Sequence, residues 1–289
     1  MAKHYTTVLS IAGSDSIGGA GIQADIKTCS AMGVYALTVI TAVTAQNTRG
    51  VDAYEAVAPD LLRAQLKAVL SDVKPDAVKV GMIPDAASAE IVAKEIGRHK
   101  LHNVVVDPVM VATAGSRLST DESVEAVKNL LFGKATLVTP NVNEASVLAG
   151  FKVDDSVQMI LAAMNLLTTT SAGAVLVKAG DLQSDSPTAS DILSRRGMQP
   201  LEITHPRIDT RNTHGTGCTL STAIACGLAK GLQLEDAVRQ GIDFVVQAID
   251  TGKNYRLGKG RGPVNYFFTT TQTVPASKAK KSANGNNSK

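Results

Sequence analysis

The sequence predicts an α/β fold: a mostly parallel central sheet with helices on both faces and a small β-hairpin added late in the chain. Three observations carry that expectation. Short β-branched runs alternate with helix-length amphipathic stretches, the rhythm of crossover-connected parallel strands. The rhythm breaks once, between Ser190 and Ile208, where two short runs flank the turn-like Arg196-Gly197-Met198. A chain of 289 residues that is 44% hydrophobic also has apolar side chains enough for one large core.

The elements follow in order. Thr7–Ala12 reads as a strand, Ala20–Met32 as a helix and Ala36–Val43 as a second strand. Leu61–Leu70 is helical, Ala77–Val80 a strand and Ala86–Ile96 a helix. Then come the strand Val104–Asp107, a helix near Glu122–Leu131, the strand Thr136–Thr139, a helix near Val157–Leu167 and the strand Val175–Lys178. Asp191–Leu193 and Leu201–Thr204 make the hairpin. Two helices close the domain, Thr219–Ala229 and Leu234–Ile249; the first sets Leu220, Ala223, Ile224, Gly227 and Leu228 on one face of a 3.6-residue period. From about Thr269 the sequence turns to Thr, Ser, Lys, Asn and Gly. The expected organisation is one domain over residues 1–268 and a disordered, lysine-containing tail over 269–289.

Charge and cysteine usage narrow the function classes. The formal net charge is +3, but residues 275–289 hold Lys278, Lys280, Lys281 and Lys289 with no acid, which leaves the rest of the chain at −1. A nucleic-acid surface is not indicated. Cys29, Cys218 and Cys226 are odd in number and lack metal-type spacing, against both a zinc site and a disulfide framework. No leader pattern and no run of about 18 apolar residues stands in the sequence. The expectation is a cytoplasmic protein with no membrane partner.

Two glycine-rich segments follow strands and open helices. Gly13-Ser14-Asp15-Ser16-Ile17-Gly18-Gly19-Ala20-Gly21 lets the backbone approach a small ligand, or is merely a tight turn. Gly19–Ala24 fits a dinucleotide-type pattern, yet the second strand ends in Thr44-Ala45-Gln46-Asn47 rather than in the acid that a ribose would need. The second segment, Asn212-Thr213-His214-Gly215-Thr216-Gly217-Cys218-Thr219, leads straight into an amphipathic helix. Its backbone N–H groups and the helix N-terminus make an anion hole suited to phosphate. Cys218 stands at that helix start, where a thiol is expected to ionise more readily and could accept a hydroxyl proton. Cys29 and Cys226 read as buried and inert.

Acids at strand ends form a third candidate. Asp107-Pro108-Val109-Met110 ends one strand, and Thr139-Pro140-Asn141-Val142-Asn143-Glu144 ends the next. Asp107, Glu144 and the Asn141 amide would suit Mg²⁺; equally, Asn141 and Glu144 could form only a helix cap. Lys178 ends a further strand and would either neutralise a transferring phosphate or lie solvated. No G-x-x-x-x-G-K-[ST] loop occurs, so phosphoryl transfer would rest on Gly215–Gly217.

Together these strings resemble the ribokinase superfamily and, more narrowly, the hydroxymethylpyrimidine/phosphomethylpyrimidine kinases of thiamine biosynthesis. The resemblance spans roughly residues 6–268 and includes Ile11–Asp15, Gly18–Thr28, Thr44–Gly50, Lys79–Met82, Asp107–Met110, Asn212–Cys218 and Gly258–Val264. It implies a ribokinase-like three-layer sandwich, a homodimer, and ATP- and Mg²⁺-dependent phosphorylation of a pyrimidine hydroxymethyl group and then of the monophosphate. It assigns Gly13, Asp25, Gln46, Met82 and Val109 to the pyrimidine, and Asn141, Thr213, Gly215, Thr216 and Gly217 to ATP. Cys218, Gly215, Gly217 and Lys178 take catalytic roles, and Asp107 and Glu144 the metal. Ile17, Thr44 and Asp181 depart from the family's usual residues. Rival readings are a pyridoxal kinase on the same loop, a non-catalytic pyrimidine sensor and, more remotely, a reductase.

Overall fold

The computed structural model describes residues 3–111, 118–180, 182 and 185–269; the expected tail falls, after Thr269, outside them. The elements are β1 (Thr7–Asp15), α1 (Gly21–Ala31), β2 (Tyr35–Asn47), β3 (Gly50–Ala56), α2 (Pro59–Leu70), β4 (Ala77–Val80), α3 (Ala86–Arg98), β5 (Val104–Val106) and α4 (Asp121–Leu130). After a short 3₁₀ turn come β6 (Leu137–Val138), α5 (Val142–Ala149), α6 (Ser156–Thr170), β7 (Ala174–Val177), β8 (Thr188–Arg195), β9 (Leu201–Pro206), α7 (Thr216–Ala229) and α8 (Leu234–Gly252). All the strands join one sheet in the order β3-β2-β1-β4-β5-β6-β7-β8-β9. From β2 to β7 neighbours run parallel; β3, β8 and β9 are antiparallel. The expected α/β architecture and the β8–β9 hairpin are both present.

The two faces follow from strand alternation. Leu9 and Ile11 of β1, with Val104 and Val106 of β5, point into a core shared with α2, α3, α4, α5 and α6. Val8 and Val105 point the other way, onto α7, α8 and Cys29 of α1. Leu62 and Leu66 sit one turn apart on α2 and are both fully enclosed. Each such leucine contributes about 1.5–3 kcal/mol through burial.

Among the boundaries that differ from expectation, two do so for clear local reasons. Strand β2 runs past Val43 to Asn47 and folds back as β3, with Asn47 opposite Gly50. Much of this ribbon is exposed, so its sequence carries little of the apolar pattern that marks a strand. Helix α7 begins at Thr216, not Thr219. The second glycine segment is therefore partly the first helical turn, whose N–H groups have no intrahelical acceptor.

The topology decides where a ligand can sit. The chain leaves β1 for β2 on one side and returns to β4 on the other. At such a switch point the crevice opens beyond the carboxyl ends of the strands.

Candidate active site

A cleft of about 960 Å³ opens at that switch point. Its lining includes Gly13 and Asp15 from the end of β1, Gln46 from β2, Met82 and Val109 after β4 and β5, and Asn141 and Lys178 after β6 and β7. Thr213 through Cys218 close it from the α7 side, and Glu144 from α5. Strand ends and one helix N-terminus thus converge on a single space, and most of the sequence-derived candidates meet there.

On one side the surface suits a flat polar ring. Met82 Sδ lies so near Gly13 that a Cβ at residue 13 would come within 2.9 Å of it. Thr44 Oγ1 lies 3.2 Å from Gln46 Oε1 and 2.9 Å from the Ser14 carbonyl oxygen, which orients the amide. Thr44, the departure noted above, is thereby a support for Gln46. Further along the cleft, Leu220, Ile242, Val245, Val246 and Ile249 form an apolar wall near Arg207 and Arg211.

On the other side lies the anion hole. Gly215 caps α7 with φ +83, and a Cβ there would collide with the Gly19 carbonyl oxygen. Only glycine allows both the left-handed backbone and this approach of the two glycine segments. The Tyr266 hydroxyl donates to that same Gly19 carbonyl at 2.8 Å. His214 Nε2 lies 2.8 Å from Asp15 Oδ2, which also accepts the Gly19 and Ala20 N–H groups at 2.9 and 2.8 Å. Burial pushes the Asp15 carboxyl up, but the His214 contact and the backbone N–H donors of Ala20 and Ile17 together outweigh it and hold the group below the usual carboxylate range. The segment 258–261 is stitched to the β2–β3 turn in the same way: Thr48 Oγ1 accepts from Gly260 N at 3.0 Å, and Arg261 N donates to the Thr48 carbonyl at 2.8 Å.

Between the two sides stands a charged pair. Lys178 Nζ donates to Asp107 Oδ1 at 2.9 Å, and Thr139 Oγ1 donates to the same oxygen at 3.1 Å. A Cβ on Gly217 would lie 3.5 Å from both Asp107 Oδ2 and Lys178 Nζ, so the helix start faces the pair at close range. Glu144 accepts from Asn141 N at 2.8 Å while its own N–H donates to Asn141 Oδ1 at 2.9 Å. The capping box is therefore formed, and the carboxylate still faces the cleft. Burial raises the Glu144 carboxyl to about 7, against the pull of Lys178.

Two expectations need correction. Asp25, assigned to the pyrimidine, lies beneath the cleft and is fully buried. Its oxygens are taken by Ser10 Oγ at 2.5 Å, Thr222 Oγ1 at 2.7 Å and Lys79 Nζ at 2.9 and 3.0 Å. Cys218 lines the cleft, but its thiol is not made more acidic: burial pushes it up to about 11, only partly offset by the Lys79 charge. The helix N-terminus alone does not overcome the loss of water.

The structure also brings in residues given no role beforehand. Asp15 and His214 lay within the quoted strings, and no sequence signal pairs them across 199 residues. Lys79 did give a signal, as a lysine inside the apolar run Ala77–Val80. The apolar wall on α8 looked like an ordinary helix face.

The sequence profile of the phosphomethylpyrimidine kinases matches residues 15–265. The chain belongs to that family. The phosphomethylpyrimidine kinase signature thus covers the second glycine segment, the strand-end acids and the first glycine segment from Asp15 onward. A hydroxymethylpyrimidine/phosphomethylpyrimidine kinase of Rhizobium meliloti is 46% identical over 259 residues, covering 90% of this chain and 96% of the relative. The chloroplastic thiamine biosynthetic bifunctional enzyme of Arabidopsis thaliana is 45% identical over 263 residues, and the chain spans only 50% of its length. Among solved structures, the Clostridium difficile 630 phosphomethylpyrimidine kinase superposes with TM-score 0.73 at 36% identity, covering 84% of this chain and 99% of that one. The Bacillus subtilis pyridoxal kinase, solved with ADP, gives TM-score 0.83 at 34% identity over 91% and 98% of the two chains.

Proposed function

We propose that the chain transfers the γ-phosphoryl group of ATP to the hydroxymethyl oxygen of 4-amino-5-hydroxymethyl-2-methylpyrimidine, and then to the resulting monophosphate, in thiamine biosynthesis. The observation that carries this is the convergence of Gln46, Met82 and Val109 and of the glycine-rich start of α7 on one cleft, which Cys218 also lines. Gln46 can donate to and accept from an aminopyrimidine edge, while Met82 and Val109 supply apolar cover. The adenine of ATP fits the apolar wall on α7 and α8.

In the transfer, the hydroxymethyl oxygen attacks the γ-phosphorus, the bond to the bridging oxygen breaks, and ADP leaves. The N–H groups at the start of α7 and the Lys178 ammonium neutralise the moving charge. The hydroxyl proton passes to the Cys218 thiolate. With the thiol at about 11 that thiolate is scarce at neutral pH, so turnover should climb as pH rises through 9 and 10. Asp107 and Glu144 offer hard oxygens facing the phosphate position, a donor set that fits Mg²⁺ retaining several waters. Among the described residues no group of three or more His, Cys, Asp or Glu gathers to hold a metal alone, which also fits an ion shared with phosphate. When bound, Mg²⁺ supplies charge neutralisation for the nucleotide phosphates.

The test is ATP consumption with the pyrimidine alcohol, its monophosphate and pyridoxal, each separately with Mg²⁺. Turnover on both pyrimidines supports the assignment; no turnover on any would leave a binding protein. A second reading, pyridoxal as substrate, is favoured by the close superposition on pyridoxal kinase, and turnover on pyridoxal alone would establish it. Cys218→Ala should lower kcat about 10²–10⁴-fold and flatten its rise with pH. An unchanged kcat would remove the cysteine from the proton transfer.

A further inference from the structure

Beneath the cleft lies a cluster that the transfer as described does not touch. Lys79 has no exposure at all, although it carries a charge and stands in the middle of β4. Its ammonium is held by both oxygens of Asp25, at 2.9 and 3.0 Å. Asp25 is on α1, and its remaining partners are Ser10 on β1 and Thr222 on α7. Four elements are thus joined at one buried charge pair.

The pair is aimed at the site. A Cβ on Gly81 would lie 2.8 Å from Lys79 Nζ and 3.1 Å from Ala12 Cβ. Ala12 and Met82 both line the cleft, so the ammonium sits directly under its floor. Thr222 stands one helical turn after Cys218 on α7, the spacing that puts two side chains on the same face. The hydroxyl that grips Asp25 therefore fixes the helix turn from which Cys218 projects.

The charge sits well for the reaction. Burial pulls the Lys79 ammonium down, yet the neighbouring Asp25 carboxylate and the charges of Cys218 and Asp107 hold it above the ordinary lysine range. It stays cationic across the working pH range. Among the groups acting on the Cys218 thiol, burial, Asp25 and Asp107 all oppose ionisation, and Lys79 is the strongest that favours it. Tyr266, on the segment packed against α7, is itself neutral because burial raises its phenol.

We propose that Lys79 is a positioning residue for phosphoryl transfer: locked on Asp25, its buried ammonium fixes the seat of Cys218 and supplies the positive charge that the thiolate needs. The proposal rests on Cys218 accepting the hydroxyl proton, but its test reads the thiol directly and does not depend on which substrate is turned over.

The measurement is the rate of Cys218 alkylation by iodoacetamide against pH, located by mass spectrometry. Cys29 and Cys226 are fully buried and serve as internal controls. For Lys79→Met the labelling rate at pH 8 should fall about tenfold or more, the profile moving to higher pH. If the single variant does not fold, Lys79→Met with Asp25→Asn removes both buried charges and leaves a neutral, foldable site. Its profile should lie between those of the wild type and Lys79→Met, because the pull of Lys79 on the thiol exceeds the push of Asp25. A folded single or double variant whose labelling profile superimposes on the wild type overturns the proposal. So does a shift to lower pH. Failure of the kinase assignment would show separately, as an absence of ATP consumption in the wild type.

Discussion

Two lysine–aspartate pairs stand near the cleft, one joining β4 to α1 and the other joining the ends of β7 and β5, and they differ in one respect. Lys79–Asp25 and Lys178–Asp107 both measure 2.9 Å. The first pair is 0% exposed on both sides; the second is 13% and 3% exposed and faces the cleft. Both Asp25 oxygens are saturated by protein donors, whereas among the described residues Asp107 Oδ2 meets Ser221 Oγ at the long distance of 3.5 Å. The same chemistry therefore serves two ends. Where water and ligand cannot reach, the pair holds elements together and fixes a field. Where they can, the lysine is able to exchange its carboxylate for a phosphate.

The largest effect that would sharpen this contrast is on stability. Lys79→Met leaves a buried carboxylate without its cation and should cost about 3–5 kcal/mol in chemical denaturation, most of it recovered when Asp25→Asn is added. A loss below that of Lys178→Met would break the comparison. Next comes Lys178→Met itself, expected to lower kcat about 10²–10³-fold while destabilising less, because water reaches Asp107 from the cleft. Smaller again is the difference between two glycines of one segment. Gly215→Ala should cost on the order of 1–3 kcal/mol from backbone strain alone, besides its collision with Gly19. Gly217→Ala meets only ordinary contacts at 3.5 Å and should leave the melting temperature nearly unchanged while reducing turnover.

The smallest effect concerns pH. The Glu144 carboxyl is raised from 4.5 to about 7 in the folded protein. Between those values the native state keeps a proton that the unfolded chain releases, so this group lowers stability as pH rises through that window. Glu144→Gln keeps the capping box and removes the charge. Its stability relative to wild type should therefore improve from pH 5 to pH 8, read from thermal melts across that range. An unvarying difference would place the Glu144 carboxyl in the ordinary range.

The alternation of β-branched runs and amphipathic stretches was enough to place the parallel strands, because the inner strands β1, β4, β5, β6 and β7 are buried on both faces and most helices on one. It did not reveal β3, whose side chains are mostly exposed and whose partner is supplied by a hairpin rather than by a core. The cleft residues Gly13, Gln46, Met82, Asp107, Lys178 and Gly215–Cys218 were legible, since local strings at strand ends and helix starts fold where they stand. Asp25 was misplaced because only the three-dimensional fold brings Lys79 and Thr222 against it. The ionisation of Cys218 was misread for a related reason: helix position is visible in a sequence, but the water removed by neighbouring elements is not. Lys79 could have been found, as a cation within Ala77–Val80 needs a buried acid somewhere in the chain.

The stitches around the cleft also bear on how the protein comes into being. Asp15 meets His214, Asp25 meets Thr222, Thr48 meets Gly260, and Gly19 meets Tyr266, at sequence separations of 199, 197, 212 and 247. The strands and their helices can pair in chain order, yet the mouth of the cleft is assembled from opposite ends of the chain. On the ribosome, a growing chain would carry most of its sheet before it had any phosphate hole or ring-binding wall held in place. Catalytic competence is then the last property that synthesis confers, and a chain cut short before Pro263 would be largely folded and inert.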